Sequence, residues 1–316
     1  MLLNDPKYTT TRANNGISRK YMSEFALHTY SSQVSIAYPS QLEYVDVSTA
    51  SYHIYMINKI KRLSFMENSI KILGNHVEIQ IQHGVTLIDK IETVKIPLFK
   101  DAISYEFEGD KILIIKDRHD GGLKLDILML YTSYSRERLN CEVVYVGQSY
   151  GEKGNRNALE RLKSHETLQK VMAEVMYGEI NSEIAITLWE FTPRLITSID
   201  GRNDFLVTGE EEMYHFQNVL SAPPLFVDNQ IINVTEAALI NYFKPNYNNM
   251  FKNNFPDIKH KGYSFYYDYD YNAITVELDP SCVNIKIYSE NTNYSQFSPI
   301  EYMLNSEEKR KSMFIL

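Results

Sequence analysis

The sequence lacks several features that would assign a protein class at once. Its two cysteines, Cys141 and Cys282, are far apart and neither has a paired metal-ligand spacing, so we interpret them as structural thiols. No apolar run approaches the about eighteen residues that a membrane span needs. The first ten residues have no basic segment followed by an apolar one, and no secretory signal is visible. We therefore expect a cytoplasmic protein without membrane contact.

Positive charge is also scarce. The chain has 32 Lys and Arg residues against 40 Asp and Glu residues, which gives a formal net charge of −8. Affinity for a nucleic-acid backbone comes from Lys and Arg at phosphates. The balance therefore argues against a protein that coats nucleic acid by bulk electrostatics, and any nucleic-acid contact must be local.

What is present is a globular composition, with 44% hydrophobic and 23% charged residues in 316. This length can hold two ordinary domains or one domain with large additions. A polar segment at 117–122 ends in paired glycines and marks a break. We predict a β-rich domain that recognises a target or partner at 1–121, a compact α/β unit at 122–254 and a β-rich extension at 255–316.

Hydrophobic periodicity gives the predicted elements. In the first segment, 105–115 predicts two strands around a turn at Gly109. The stretch 58–71 predicts a solvated helix face, and the alternative is that its Lys and Arg residues contact phosphates. In the last segment, 263–271 predicts a strand. The middle segment predicts an α+β unit, an antiparallel three-stranded sheet with flanking helices. Its elements are a hairpin of 125–131 and 141–147, a helix at 158–176, a strand at 183–191, an irregular insertion at 194–232 and a helix that carries Glu236.

Glu236 is a carboxylate where a hydrophobic residue is expected. At about 100° per residue, it falls on the same helix face as the apolar residues Leu239, Ile240 and Phe243. Burial of an unpaired carboxylate costs several kcal/mol unless a metal or a partner compensates. The pattern indicates a functional site.

A simpler explanation exists for Glu236. Asn233 lies three residues earlier, and an N-cap residue followed three residues later by Glu is the pattern of a capping box. Pro245 lacks a backbone donor and disfavours helix at Lys244, so this helix is predicted to end before Lys244.

A second predicted helix also places polar residues on its apolar face. Arg161 and His165 are four residues apart, and therefore one turn apart, among apolar residues. An inward His is often a satisfied core residue, and Arg161 could form a core ion pair with Glu236. The alternative is that all three side chains line one cleft beside a phosphate.

These residues resemble the GIY-YIG nuclease superfamily over about 125–254. The resemblance rests on Val144-Tyr145-Val146-Gly147, on the Arg161/His165 pair, and on Glu236 followed twelve residues later by Asn248. The segment 236–248 is most similar to the excision-repair nuclease, and restriction-type members are also similar.

The resemblance implies a role for each matched residue. Tyr131 matches the first family tyrosine, with Tyr134 as a competitor, and would help to activate the attacking water together with His165. Glu236 would hold one Mg²⁺ or Mn²⁺ ion, and Arg161 would stabilise charge on the phosphate. The remaining matches are Tyr145 as a positioning residue, Asn248 as support for Glu236, and Gly147, Lys153, Arg156, Lys163 and Lys244 as substrate-binding residues.

The resemblance thus implies a metal-dependent endonuclease that acts on nucleic acid, with DNA favoured over RNA, in a restriction or anti-phage setting. The N-terminal domain could select a protein partner or a second copy of the chain. The alternatives are a weak or inactive nuclease-like binding module and a structural protein that interacts through tyrosine-rich strands.

Overall fold

Most of the regular structure of the chain is β-sheet, with several helices, and the expected mixture of α and β structure is confirmed. The computed structural model describes residues 18–46, 48, 50–86, 88–118, 121–149, 162, 166–201, 205–222, 228–294, 299–306 and 309–314. None of the helices in these stretches has the length and apolar character needed to cross a membrane.

The strands occupy all three predicted segments. They are β1 Ser23–Ala37, β2 Ile54–Lys61, β3 Leu63–Phe65, β4 Lys71–Leu73, β5 His76–His83, β6 Lys90–Pro97, β7 Ala102–Glu108, β8 Ile112–Asp117, β9 Gly122–Asp126, β10 Leu139–Gln148, β11 Ser182–Ile199, β12 Ala273–Glu277, β13 Ile285–Tyr288 and β14 Ile300–Met303.

The α-helices lie between and after these strands. They are α1 Ile127–Tyr134, α2 Glu166–Gly178, α3 Gly209–Ser221, α4 Asn229–Phe243 and α5 Phe265–Asp268, and short 3₁₀ helices span Pro39–Tyr44, Lys261–Tyr263 and Ser281–Val283.

One seven-stranded sheet organises the fold, in the order β13-β10-β2-β11-β1-β12-β14. The pairs β10/β2, β2/β11, β11/β1 and β12/β14 are antiparallel, whereas β10/β13 and β1/β12 are parallel. Strands from 1–121, 122–254 and 255–316 therefore belong to one sheet.

Strand β2 lies between β10 and β11 in this sheet. Its residues from Ile54 to Ile57 are all fully buried, which is the pattern of a strand covered on both faces. Ile54 and Met56 belong to the core that includes α4, while Tyr55 and Ile57 belong to the core that includes α2. Helices α4 and α2 thus cover opposite faces of β2.

The chain between β2 and β10 forms an insertion, residues 62–138. It contains a four-stranded sheet of β3, β4, β5 and β6 and a three-stranded antiparallel sheet of β7, β8 and β9. The predicted hairpin in 105–115 is confirmed, because β7 and β8 pair around Gly109, whose φ is +66°.

Several predicted elements are wrong. The run 125–131 is not a strand that pairs with β10, because Asp126 caps α1 by accepting hydrogen bonds from the backbone N–H groups of Leu128 and Met129. Strand β10 pairs instead with β2. The three-stranded sheet in the described part of the chain is β7-β8-β9, which spans the predicted boundary between the first and second segments.

Three further predictions also need correction. Residues 58–71 form the end of β2 and then β3 rather than a helix. Residues 263–271 begin with a 3₁₀ turn followed by α5 rather than forming a strand. The predicted irregular insertion at 194–232 holds the end of β11, the whole of α3 and the start of α4.

Candidate functional site

Two tyrosines meet where β2 and β10 pair. Tyr145 is opposite Ile57 and Gly147 is opposite Tyr55 in the register. A bulge between Val143 and Tyr145 shifts this register. The ring centroids of Tyr55 and Tyr145 are 6.1 Å apart with an interplanar angle of 32°. The strand pair therefore holds two phenol rings side by side on one face of the sheet.

Gly147 makes room for both rings. A Cβ atom at this position would lie 2.6 Å from Cζ and Oη of Tyr55 and 2.7 Å from Cε1 of Tyr145. Any side chain at position 147 would therefore displace one of the tyrosines. The structure gives Gly147 a steric role in this tyrosine pair.

Helix α4 holds Glu236 near its middle. The helix begins at Asn229, and the Asp228 side chain caps it by accepting hydrogen bonds from the backbone N–H groups of Gln230 and Ile231. Asn233 is therefore inside the helix, so the capping-box explanation for Glu236 is wrong. Glu236 is half-buried between Thr235 and Ala237, which are fully buried. Glu236 is thus less buried than its neighbours on the helix.

The turn after α4 ties the helix to β10. The helix ends at Phe243, as Pro245 predicts, and Lys244 adopts a left-handed conformation with φ of 48°. Tyr247 N–H donates to Val144 O at 3.1 Å. Asn248 accepts from Val146 N–H at 2.9 Å and donates through Nδ2 to Val146 O at 2.8 Å. The Asn248 amide thereby takes the place of a neighbouring strand beside Val146.

We expect Asn248→Ala to destabilise the protein by about 2 kcal/mol or more, because it leaves two buried backbone groups of Val146 without partners. Asn248→Asp should cost at least as much, since a carboxylate oxygen would then face the Val146 carbonyl. Urea denaturation measures the change. Asn253→Ala, an exposed residue of the same loop, is the matched control and should leave the midpoint unchanged. An unchanged midpoint in Asn248→Ala would contradict the proposed clamp.

A second contact fixes the first half of α4. Gln148 Nε2 donates to Asn233 Oδ1 at 2.6 Å, and Asn233 Nδ2 donates to Gly262 O at 3.1 Å. Asn233 precedes Glu236 by three residues, which is about 4.5 Å along the helix axis. Glu236 therefore lies on the part of α4 that is attached to β10 at both ends.

Tyr131 is not brought to this site. It lies on α1, its hydroxyl donates to Glu92 Oε2 at 2.9 Å, and it lines a small cavity with Leu139 and Asn140 at the start of β10. Gly147 lies seven residues beyond Asn140, about 23 Å along an extended strand. Burial and the Glu92 carboxylate raise the pKa of Tyr131, which is the wrong direction for a base. Tyr134, its competitor, lies on the same helix.

Five of the predicted site residues cannot be placed. Arg161, His165, Lys153, Arg156 and Lys163 lie outside the described residues. Lys244 is exposed at the end of α4.

The sequence analysis did not select Tyr55, near the start of β2, or His53, which directly precedes this strand. Tyr55 belongs to the run His53-Ile54-Tyr55. Burial lowers the pKa of His53, and His53 Nδ1 lies 3.4 Å from Ser149 O just after β10. The feature of the sequence that could have identified Tyr55 is the Ile54-Tyr55 pair.

One carboxylate of the candidate site, that of Glu236, is the ligand type that a hard cation prefers. Within the described stretches no three His, Cys, Asp or Glu side chains gather into a ligand cluster. Mg²⁺ is often held through one or two carboxylates and keeps several waters. The Glu236 carboxylate is a ligand type that could hold one Mg²⁺ or Mn²⁺ ion, with water completing the coordination.

Comparison with known proteins finds no match for this chain. No protein-family model, no curated protein and no solved structure is similar to it.

Proposed function

We propose that the protein is a divalent-metal-dependent endonuclease of the GIY-YIG type that hydrolyses phosphodiester bonds in DNA. The observation that carries the proposal is the Tyr55 and Tyr145 pair over Gly147, where β2 pairs with β10, the strand to which the helix of Glu236 is attached. A restriction or anti-phage setting rests on analogy with family members, since a fold does not fix a function.

The proposal changes one assignment made from the sequence. Tyr55 takes the place of Tyr131 as the first-motif tyrosine, because β2 is the strand that pairs with the Tyr145 strand. In family members these two strands form one small antiparallel sheet, and here β2, β10 and β11 have that arrangement. The insertion 62–138 separates the two tyrosine strands in the chain.

Each residue then has a stated task. The hydroxyls of Tyr55 and Tyr145 would position the attacking water and the phosphate, and His53, two residues before Tyr55, would act as a proton acceptor. Glu236 would hold the cation, which when bound stabilises negative charge on the leaving oxygen and lowers the pKa of coordinated water. The resemblance assigns the phosphate contact to Arg161.

One observation favours an alternative function. Histidine replaces the first glycine of the family motif at position 53, and a changed motif is what an inactive nuclease-like binding module would also show. Such a module would bind nucleic acid without cutting it.

A pair of tyrosine variants tests the proposal. Wild type should nick supercoiled plasmid with Mg²⁺ or Mn²⁺, and EDTA should stop the reaction. Tyr55→Phe should be about 100-fold slower, because it removes a hydroxyl that takes part in proton transfer or positioning. Tyr131→Phe should cut at the wild-type rate and lose only about 1 kcal/mol of stability with the Glu92 hydrogen bond.

The same assay on RNA separates the two substrate classes. Absence of cutting of either nucleic acid with any divalent metal would remove the enzyme proposal and leave the binding module. Equal rates for wild type and Tyr55→Phe would remove Tyr55 from the site.

A further inference from the structure

The loop that follows α4 carries a concentration of positive charge. Residues 244–262, called the basic loop below, contain four lysines and one acid, Asp257, which is a net charge of +3 with His260 neutral. The whole chain has a net charge of −8. The basic loop is therefore a local exception to the acidity of the protein. Its lysines are Lys244, Lys252, Lys259 and Lys261.

These lysines are not used in ion pairs. In the described part of the chain, none of the four lies within 4.0 Å of a carboxylate, whereas nine lysines elsewhere do. Lys244, Lys259 and Lys261 are also exposed. Their charge is available to an external anion.

The basic loop is held in one conformation by its own contacts. Asn241 Nδ2 on α4 donates to the carbonyl oxygens of Phe251 and Lys252, both at 3.0 Å. The buried Phe255 and Tyr263 rings pack together with their centroids 5.4 Å apart. Because the loop is already ordered, binding of a ligand costs little conformational entropy.

Both ends of the basic loop are fixed beside the tyrosine pair. Near its start, Asn248 is bonded to Val146 on β10. At its end, Gly262 O accepts from Asn233, which is bonded to Gln148 at the end of the same strand. Lys261 therefore lies next to the part of α4 that carries Glu236.

We propose that the basic loop binds the phosphate backbone of a nucleic acid next to the tyrosine site, with Lys259 and Lys261 as its phosphate contacts. The identity of the partner rests on the proposed function, because a phosphodiester substrate at Glu236 would extend along this loop. Ammonium groups on fixed backbone suit a repeating row of phosphates and require no base sequence.

Two double variants with the same charge change test the loop. Lys259→Gln/Lys261→Gln removes two exposed lysines of the basic loop, and Lys71→Gln/Lys100→Gln removes two exposed lysines of the insertion. Each takes the net charge of the chain from −8 to −10. Anisotropy of a short labelled DNA duplex in EDTA, over a range of salt concentrations, measures binding. Single-stranded DNA, duplex RNA and phosphatidylserine vesicles are the other arms.

The loop variant should bind duplex DNA at least about 10-fold more weakly than wild type at low salt, and the slope of log K against log salt should fall by about 2. The insertion variant should match wild type. Equal binding by both variants, or a loss confined to the vesicles, would overturn the loop proposal. If the loop variant loses binding but the wild type never cuts plasmid, the loop proposal is supported and the nuclease proposal fails. If the wild type cuts plasmid but the loop variant binds DNA as the wild type does, the nuclease proposal is supported and the loop proposal fails.

Discussion

Glu236→Gln is expected to slow Mg²⁺-dependent plasmid cleavage by about 10³-fold while the fold is retained. Glutamine has nearly the same shape but no charge, so it cannot hold a divalent cation by a carboxylate. Glu236 occupies a half-buried position on a helix whose neighbouring residues are fully buried, and a glutamine of the same size fits there without a change of fold.

Plasmid cleavage, Mn²⁺ titration calorimetry and circular dichroism together check this expectation. Glu210→Gln, an exposed acid in the first turn of α3, is the matched control and should cut and bind Mn²⁺ as wild type does. A Glu236 variant that keeps full activity and Mn²⁺ binding but unfolds more readily would instead support the core ion pair with Arg161. That outcome would remove Glu236 from the catalytic site.

Local chemistry in the sequence predicts the end of α4 but not its beginning. Pro245 fixes the end, because its missing N–H and the steric limit on Lys244 act within two residues. At the other end, both Asp228 and Asn233 are good caps. Burial of Ile231 and Ile232 against the sheet decides in favour of Asp228, and that packing is not visible in the sequence.

Tyr55 was missed because its partner strand is distant in the chain. Periodicity reports which residues share a face of one strand, but it does not report which strands pair. Strands β2 and β10 are separated by residues 62–138, which form two sheets of their own. The expectation of a short hairpin led instead to 125–131, an apolar run too short to tell strand from helix, in which Asp126 starts a helix.

The sequence predicted which residues belong to the candidate site better than it predicted what those residues contact. Glu236 was identified as an acid on an apolar helix face, whereas Gly147 and Asn248 were identified through the resemblance to the nuclease superfamily. Their contacts depend on tertiary distances. The steric reason for Gly147, and the bonds from Asn248 to Val146, required the fold.

Arg310→Met is expected to destabilise the protein by about 3–5 kcal/mol, since it removes one partner of a buried ion pair and leaves the other charge uncompensated. Arg310 is 2% exposed and Glu24 on β1 is fully buried. Arg310 Nε donates to Glu24 Oε1 at 3.1 Å, Nη2 donates to Glu24 Oε2, and Nη1 donates to Asp270 Oδ1 at 2.6 Å. The guanidinium thus joins the segment 309–314 to β1 and to the turn before β12.

The pH dependence of this loss separates the ion pair from simple packing. Burial alone would raise the pKa of Asp270, but the charge of Arg310 and the hydrogen bond from Lys20 lower it below its ordinary value. Its contribution to stability is therefore present above about pH 4, the unfolded-state pKa, and is lost as pH falls through the folded-state pKa. The difference in urea midpoint between wild type and Arg310→Met should accordingly narrow below pH 4.

Lys309→Met, an exposed residue of the same segment, is the charge-matched control. If both variants lose equal stability, or if the deficit of Arg310→Met is the same at pH 7 and below pH 4, the loss comes from chain packing rather than from the buried charges.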